Sequence, residues 1–545
     1  MKALLTATLL PITLALVLPL PASANLGDEL RNLTGHLVQD GEGHLPSGGV
    51  IHQPAIIEEY YYEAAYRPTW SDREQVMRVM TVLANAEREG LDPRDYHHPT
   101  LQAMLDAHAV SLQSDDRTRA KFDVMLTDGV ILYIRHMMQG KVNPRTTDPT
   151  FNYARLPFEP KKVSRTLREA IASDTIEALM TDAAPDRPFY LAMRDALAKY
   201  RELATGESFT AIPDDTVLKP GQAHDNVPPL RRRLAELGFL ATSSAGSRQF
   251  DEELERAVRD YQQHNNLDVD GIVGRQSFAL LNLSWHDRVD LLRINMDRLR
   301  WISQDLSDDF VVVNIAGFEL YYLRADHPTW ETPVMVGTIA HQTPIFTKRL
   351  RYLEFNPTWT VPRSIIRRSL FPKFSANPQA AVDGQYHLID RRGDLANPLQ
   401  IDWSAYNGSN FPYNVVQQPG PQNALGRVKF MFPNRYAIYL HDTPSRALFS
   451  RSSRAFSSGC VRVKNPLEFA EILLDDPDNW SLTQIEALIE SEKPIVRVNM
   501  RRPVDVMLMY WTTSPTPQGG IQFHPDIYGK DPATLAALEA PPPIY

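Results

Sequence analysis

The chain contains one cysteine, Cys460, and the residues around it favour a reactive thiol. Residues 457–459 read Ser-Ser-Gly, and such small residues let backbone N–H groups converge on one point, as an oxyanion hole requires. Upstream, an alternating run ends at His441 and places it on the same face of a predicted strand as Tyr439. Because an imidazole near a thiol can take its proton, the pair predicts acyl transfer through a cysteine nucleophile.

A buried structural cysteine near an unrelated histidine is the alternative, since cysteine is among the residue types most often buried. The N-terminus reads as an export signal, however, and a lone thiol that reaches an oxidising compartment has no disulfide partner. The missing partner and the Ser-Ser-Gly run therefore favour the reactive interpretation.

Other hydrolytic chemistries lack their motifs in this sequence. There is no His-Glu-x-x-His and no cysteine cluster with metal spacing, so no metal or other cofactor is predicted. There is also no Ser-x-x-Lys, and no glycine-rich phosphate loop. A papain-like protease has its cysteine before its histidine, whereas His441 comes first here. His97 and His98 are interpreted as surface residues rather than a metal pair, because adjacent side chains diverge.

Length and composition indicate a multidomain globular protein. The chain has 545 residues, and 43% hydrophobic with 23% charged residues is ordinary for folded protein. The formal net charge of −9 argues against nucleic acid as a partner.

Residues 1–24 have the order of a secretory signal: Lys2, an apolar run over residues 3–20, and Ala-Ser-Ala at 22–24. We expect cleavage after Ala24. An uncleaved anchor is the alternative, but Pro11 and Pro19 interrupt a run that is barely long enough to span a bilayer. No later stretch is apolar enough, so no stable membrane span is predicted after signal cleavage.

The first half of the remaining chain is predicted to be helical. Residues 25–212 form a helical region in which residues 71–74 have the pattern of a capping box. Residues 217–283 contain helical patterns that stop at Gly238 and restart at Asp251, with a plain helical spacer as the alternative interpretation. Residues 284–307 are predicted to be a linking helix.

The second half changes to a strand pattern. Residues 308–500 are mostly β, beginning with a hairpin over residues 310–323, and a helix begins at Asn465 shortly after the cysteine. Residues 365–425 form a long insertion rich in Asn, Pro, Gly and aromatics, which is typical of a lid. Its aromatic residues are expected to pack on the catalytic domain or on substrate; an ordered subdomain that never moves is the alternative. Residues 501–545 are predicted to be a last strand and a tail.

One stretch closely matches a known family. The sequence His441-Asp442-Thr-Pro, followed by Phe449, Arg454 and Ser-Ser-Gly-Cys-Val-Arg-Val ending at residue 463, resembles the active-site signature of the L,D-transpeptidases. These cysteine enzymes cross-link bacterial peptidoglycan. The general family pattern has Gly after the first His and Ser-His-Gly-Cys at the nucleophile. Asp442 and Ser458 stand at those places here, as in the large periplasmic subfamily, so no second histidine is given a role.

The resemblance implies a multidomain α+β fold in the periplasm. Residues 25–212 would be the helical scaffold domain, residues 217–283 a small three-helix peptidoglycan-binding domain, and residues 308–500 a mostly β catalytic domain whose insertion at 365–425 is a capping lid. The implied reaction transfers a stem-peptide acyl group to a second stem, releasing D-Ala and forming a 3→3 cross-link. Partners would be peptidoglycan stem peptides and glycan, and other cell-wall synthases.

The resemblance also implies residue roles. Cys460 would be the nucleophile and His441 the general acid and base, with oxyanion donors at the backbone N–H groups of Ser458, Gly459 and Cys460 itself. Three further residues are candidates for substrate binding: Tyr439, Arg454 and Arg462. Arginine suits a carboxylate, yet either arginine can equally be a structural ion-pair partner.

Two alternative functions stay open at this point. A carboxypeptidase or other hydrolase would use the same Cys/His site with water as acceptor. A non-catalytic wall-binding protein would carry a vestigial cysteine, although the intact His, Gly, Cys and Arg set disfavours it.

Overall fold

The computed structural model describes residues 24–46, 48–107, 114–153, 157–206, 209, 211–241, 246–302, 307–325, 327–491, 493–516 and 519–545. The predicted signal lies outside these ranges except for Ala24. Within them, no helix has both the length and the apolar character needed to cross a bilayer.

The N-terminal region is helical, as predicted. Its helices are α1 (Ala24–Asp40), α2 (Pro54–Glu63), α3 (Arg73–Ala84), α4 (His98–Asp106), α5 (Asp116–Gln139), α6 (Pro144–Thr147), α7 (Pro160–Ala172), α8 (Ile176–Asp182) and α9 (Pro188–Ala204). Helix α5 is buried along most of its length, so it forms the centre of this region.

Two local predictions in this region are wrong. Asp72, not Ser71, caps α3, because its carboxylate accepts the N–H groups of Glu74 and Gln75. The His97 side chain is mostly buried rather than on the surface, because it is 9% exposed and its Nε2 lies 2.8 Å from the fully buried Asp128 carboxylate.

A smaller helical unit follows, with α10 (Val227–Glu236), α11 (Glu252–His264) and α12 (Arg275–Leu281). The predicted helix end at Gly238 and start at Asp251 are confirmed: Gly238 has φ +83°, and the Asp251 side chain caps α11. The linking helix α13 (Trp285–Arg300) is confirmed as well. The buried Asp297 carboxylate on α13 accepts the N–H of Lys141 at 2.7 Å, which ties this helix to the N-terminal region.

The remaining chain is mostly β, which confirms the predicted α+β class. Its strands up to residue 509 are β1 (Asp309–Asn314), β2 (Glu319–Arg324), β3 (His327–Gly337), β4 (Phe346–Phe355), β5 (Trp359–Thr360), β6 (Tyr386–Ile389), β7 (Leu395–Ala396), β8 (Asn414–Gln417), β9 (Val428–Met431), β10 (Leu440–His441), β11 (Ala455–Ser457), β12 (Val461–Val463) and β13 (Val496–Met509). The predicted hairpin is the antiparallel pair β1–β2.

The main sheet has the order β11-β3-β12-β10-β9-β4-β13-β1-β2, and β2 also pairs with β3. The pairings therefore run in a closed circuit around one apolar core, which includes Leu440, Val461 and Phe430. Helices α17 (Pro466–Leu474), α18 (Pro477–Trp480) and α19 (Leu482–Glu490) follow β12, so a helix begins after Asn465 as predicted.

The insertion is a folded subdomain that begins at β5, before the predicted start at residue 365. It contains α14 (Arg363–Ile365), a π-helical turn over Ile366–Leu370, α15 (Phe371–Ala376) and α16 (Gln379–Asp383), beside a separate sheet ordered β5-β8-β6-β7. Its aromatic residues pack on one another: Trp403 stacks on Phe411 at 5.3 Å between ring centroids, and Phe374 contacts Tyr386 at 5.1 Å. The expectation that they pack on the catalytic domain or await substrate is wrong, because they form a core of their own.

The C-terminal segment is more than a strand and a tail. After β13 it adds the hairpin β14 (Thr513–Pro515) and β15 (Ile521–Phe523) and helix α20 (Asp531–Glu539). The guanidinium of Arg298 on α13 donates to the Asp531 carboxylate at 2.6 Å, and the N–H of Tyr545 donates to the carbonyl of His52 at 2.9 Å. The segment therefore joins the β region to the N-terminal helices.

We predict that Phe374→Ala destabilises the insertion by about 3–5 kcal/mol, because it removes a fully buried ring from a small core. Hydrogen exchange should accelerate across residues 361–417 while the amides of β4 and β13 keep their protection. Leu395→Ala is the control, since Leu395 is 66% exposed in the same subdomain. Equal loss of protection in the main sheet would show that the insertion has no independent core.

Candidate active site

The histidine ends strand β10, and the cysteine immediately precedes the adjacent parallel strand β12. Strand β10 pairs with β12 in the register Leu440↔Val461 and His441↔Arg462. Leu440 and Val461 are fully buried in the core, so Tyr439, His441 and Cys460 are placed on the opposite face of the sheet. The predicted shared face is thus present, although the strand is shorter than predicted.

A turn shortens the predicted strand. Ala437 has φ +53°, outside the range of a strand. The side chain of Asn434 bonds backbone groups of Phe432, Tyr436 and Ile438 and so closes this turn. The strand therefore begins only at Leu440.

The environment of His441 sets its tautomer and its charge. Nδ1 lies 2.5 Å from the carbonyl of Asp442, and because a carbonyl only accepts, Nδ1 carries the hydrogen. Nε2 is then left with a lone pair. Burial, and next the nearby Arg462 guanidinium, lower the pKa of His441 to about 3. The imidazole is therefore neutral at physiological pH and offers its Nε2 lone pair to a proton, although the lowered pKa makes it a weak base in the resting site.

The thiol of Cys460 is also neutral at rest. Burial raises its pKa, although the backbone N–H and hydroxyl of Tyr439 and the cation of Lys429 act in the opposite direction. Among the described residues, Sγ lies 3.8 Å from the carbonyl of Ala437 and no hydrogen bond joins it to His441. With strands about 4.8 Å apart and a rise of about 3.3 Å per residue, the two Cα atoms are about 8 Å apart, so side-chain rotation can bring the thiol and imidazole together.

Two cations border this pair. Arg462 lies opposite His441 in the register on one side, and Lys429 of β9 lies opposite it on the other. The ammonium of Lys429 is 4.1 Å from the ring centroid of Tyr439 and 3.8 Å from the carboxylate of Glu354. Lys429 was not predicted as a site residue, because its only signal in the sequence is its alternation with apolar neighbours in β9 and the strands that pair with β9 were not predictable.

The two candidate arginines differ in their environment. Arg454 is buried and donates to the carbonyls of Val334, Arg451 and Phe318, which supports a structural role, through backbone carbonyls rather than the ion pair that was expected. Arg462 has its Nε buried without a hydrogen-bond partner among the described residues. Burial lowers the pKa of Arg462, and the nearby Cys460 opposes this shift. Arg462 is thus the arginine that faces the site.

The loop before Cys460 is held by hydrogen bonds. The N–H of Gly459 donates to Ser457 Oγ at 3.0 Å, so this predicted oxyanion donor is already bonded. The N–H groups of Ser458 and Cys460 have no acceptor in the described part of the chain. Gly459 has φ +115°, which favours glycine, and its carbonyl accepts from Thr343 Oγ1 at 2.9 Å. The loop therefore leaves two of the three predicted donors, the N–H groups of Ser458 and Cys460, available to a potential oxyanion.

Asp442 connects the histidine to the insertion. Its buried carboxylate accepts the N–H of Arg427 at 2.9 Å and binds the guanidinium of Arg446 at 3.2 Å. Gly426 lies against this carboxylate so closely that a Cβ would be 2.4 Å from it. Asp442 thus fixes the chain where it leaves the insertion, immediately beside His441.

The insertion also reaches the nucleophile loop from the other side. Arg368, on the π-helical turn, bonds His341 and lies 3.5 Å from Ser458 Oγ. The indole of Trp359, at the start of the insertion, interacts with the Tyr439 hydroxyl. Neither residue was singled out from the sequence, because both contacts join distant segments of the chain.

Three family models match consecutive parts of the chain. Residues 55–197 match a scaffold domain, residues 223–281 a peptidoglycan-binding domain, and residues 308–504 the L,D-transpeptidase catalytic domain. The Cys460 site lies within the third match. The chain therefore carries an L,D-transpeptidase catalytic domain together with scaffold and peptidoglycan-binding domains, which confirms the family inferred from the motif.

A curated relative agrees with this assignment. The chain is 38% identical over 241 residues to a Haemophilus influenzae protein named "Putative L,D-transpeptidase", covering 44% of this chain and 48% of the relative. The match thus spans about half the length of that protein.

Solved structures give weaker similarity. An L,D-transpeptidase of Stackebrandtia nassauensis is 13% identical, with a TM-score of 0.20 over 55% of this chain and 97% of that one. An L,D-transpeptidase of Xylanimonas cellulosilytica is 14% identical, with a TM-score of 0.17 over 56% and 100%. The family assignment depends on the family models and the curated relative.

We predict that Lys429→Met shifts the alkylation of Cys460 by iodoacetamide to higher pH. Removing the ammonium removes a charge that favours the thiolate, so the thiol pKa rises and the rate near pH 8 falls several-fold. Lys348→Met, an exposed lysine on β4, is the control. An unchanged pH profile in the Lys429 variant would remove Lys429 from the site's electrostatics.

We predict that acidification from pH 7 to 4.5 destabilises the catalytic domain. The pKa of buried His441 is about 3 when folded and 6.5 in its reference state, so between these values the unfolded chain binds the extra proton and stability falls as pH falls. His441→Gln should reduce this dependence by up to about 1.4 kcal/mol per pH unit, measured by urea unfolding. His387→Gln, at an exposed position, should leave the dependence unchanged; an unchanged slope in the His441 variant would contradict the buried, neutral imidazole.

Proposed function

We propose that the protein is a periplasmic L,D-transpeptidase that forms 3→3 cross-links between peptidoglycan stem peptides through a thioester on Cys460. The observation that carries this proposal is the pairing of β10 with β12, which places Cys460 and a neutral His441 on one face. The catalytic and peptidoglycan-binding domain matches supply the substrate class.

The first half-reaction transfers the donor acyl group to sulfur. His441 Nε2 takes the thiol proton, and the thiolate attacks the carbonyl between the L-centre of diaminopimelate and the terminal D-Ala. The N–H groups of Ser458 and Cys460 hold the oxyanion. The C–N bond then breaks, D-Ala leaves with the proton from His441, and a thioester remains.

The second half-reaction passes the acyl group to an amine. The side-chain amine of a second stem attacks the thioester and gives a proton to His441, an amide forms, and the Cys460 thiolate is released. Burial disfavours charge on both Cys460 and His441. The thiolate that forms during turnover is therefore stabilised by the neighbouring cations of Lys429 and Arg462. These cations balance the negative charge of the thiolate, which a neutral imidazole cannot do.

Substrate positioning falls to Arg462 and Tyr439. The guanidinium of Arg462, with its Nε unbonded and buried, suits a stem carboxylate. The Tyr439 hydroxyl lies against the sulfur and can align the donor carbonyl. Arg454 supports the strand ends through its three carbonyl bonds.

Hydrolysis is the second candidate function, because water in place of the amine gives a carboxypeptidase with the same residues. The folded insertion beside Ser458 favours transfer, since a second wall next to the nucleophile can hold an acceptor and restrict water. Cell-wall synthases that supply nascent strands are the expected partners, and export by residues 1–24 would bring the enzyme to its substrate.

We predict that Cys460→Ser abolishes cross-linked product and that His441→Ala reduces it by at least about 100-fold, because a hydroxyl is a far poorer nucleophile and the imidazole is the proton acceptor. The assay incubates purified enzyme with disaccharide-tetrapeptide and identifies dimers by mass spectrometry. Arg454→Lys tests the structural role, and it should lower stability more than it changes the specific activity of folded enzyme.

Circular dichroism and binding to purified sacculi verify that each variant is folded. More than a trace of 3→3 dimer from Cys460→Ser would rule out the nucleophile assignment. Tripeptide without dimer from the unmodified enzyme would favour the hydrolase instead.

A further inference from the structure

The insertion carries a cationic cleft that the reaction described above does not use. The cleft has a volume of about 590 Å³ and is lined by Arg363, Arg367 and Arg391 with several small polar residues. No Asp or Glu is among its lining residues. Three guanidinium groups around one open volume repel each other unless an anion is bound between them.

The arginines differ in how they are held. Arg363 donates to the carbonyls of Phe411 and Tyr413 at 2.8 and 2.9 Å, so it is part of the cleft wall. The side chains of Arg367 and Arg391 have neither a hydrogen bond nor an ion pair in the described ranges. Two guanidinium forks are therefore available to a ligand, and such forks match carboxylate geometry.

A neighbouring carboxylate does not neutralise them. Asp390 accepts the N–H groups of Arg392 and Asp394 within its own turn and lies 3.5 Å from the Arg392 guanidinium. Its charge is thus satisfied locally, and the cleft keeps a net positive charge.

The cleft wall is closely packed. A Cβ on Gly408 would be 2.8 Å from the carbonyl and 2.9 Å from Cγ of Arg367, so only glycine allows this loop to approach the helical turn. The stem of Arg367 is therefore held by the backbone of residue 408, which limits its freedom before a ligand binds.

The same helical turn connects the cleft to the nucleophile loop. Arg368, the next residue, lies 3.5 Å from Ser458 Oγ, two positions before Cys460. A helix is about 10–12 Å across with its side chains, whereas an extended peptide of four or five residues spans about 13–18 Å. A stem peptide anchored in the cleft can therefore reach across the turn to the sulfur.

We propose that the cleft formed by Arg363, Arg367 and Arg391 binds the carboxylates of the acceptor stem peptide and so positions its amine for attack on the acylated cysteine. The inference rests on the proposed transpeptidase function for the identity of the peptide. The donor stem occupies the groove at Tyr439, His441 and Arg462, so the acceptor needs a separate site, and the insertion provides one.

The binding test uses the full chain with Cys460→Ser, which prevents turnover, and measures the affinity of soluble tetrapeptide stem by calorimetry. The double variant Arg367→Gln/Arg391→Gln should weaken binding at least 10-fold, and Arg392→Gln, a neighbouring arginine already paired with Asp390, should not. A stem whose carboxylates are amidated should bind to the parent at least as weakly as the acidic stem binds to the double variant, because amidation also removes the contact with Arg462.

Equal affinity of the acidic stem for parent and double variant would overturn the proposal. Inorganic phosphate that binds the parent as tightly as the stem would overturn it too, because the cleft would then select any oxyanion.

A kinetic test separates this site from the reaction itself. In enzyme with Cys460 intact, the double variant should raise the acceptor KM at least 10-fold while iodoacetamide alkylation of Cys460 stays unchanged. An unchanged acceptor KM would contradict the inference. If the unmodified enzyme forms no dimer although stem binding depends on Arg367 and Arg391, the transpeptidase proposal fails and the stem-binding cleft stands.

Discussion

The parallel pairing of Leu440–His441 with Val461–Val463 is the constraint on which the site depends. Leu440 and Val461 are fully buried side by side. A shift of one residue in the register of either strand would turn its site residues toward the core. Core packing therefore fixes which side chains face the groove. The chemistry of Cys460 and His441 is held in place by apolar neighbours that take no part in it.

This placement has an electrostatic consequence. The same burial that orders His441 and Cys460 lowers the pKa of the imidazole and raises that of the thiol, so the resting pair is neutral. Lys429 and Arg462 flank the pair on the two adjacent strands and favour the thiolate once it forms. The cross-strand register thus brings together the thiol and imidazole that exchange the proton and the cations that stabilise the thiolate.

Much of this arrangement was predictable from local sequence. Cys460, His441 and Tyr439 follow from a lone thiol, the Ser-Ser-Gly run before it and a period-two run, and the helical and β regions follow from their periodicity. The contribution of Lys429 and the bonded N–H of Gly459 were not predictable, because they depend on strand pairing and on side-chain bonds across a loop. The packing partners of the insertion's aromatic residues were predicted wrongly, because the surface on which each ring packs depends on contacts between distant segments of the chain.

The central claim is that the sulfur of Cys460 carries the donor acyl group. Peptide mapping by mass spectrometry, after acid quench of enzyme mixed with a tetrapeptide donor whose side-chain amine is blocked, tests it most directly. We expect a donor adduct lacking D-Ala on the peptide that contains Cys460, removable by hydroxylamine as expected for a thioester. Release of D-Ala with Cys460 unmodified throughout the time course, or an adduct on another residue, would contradict it.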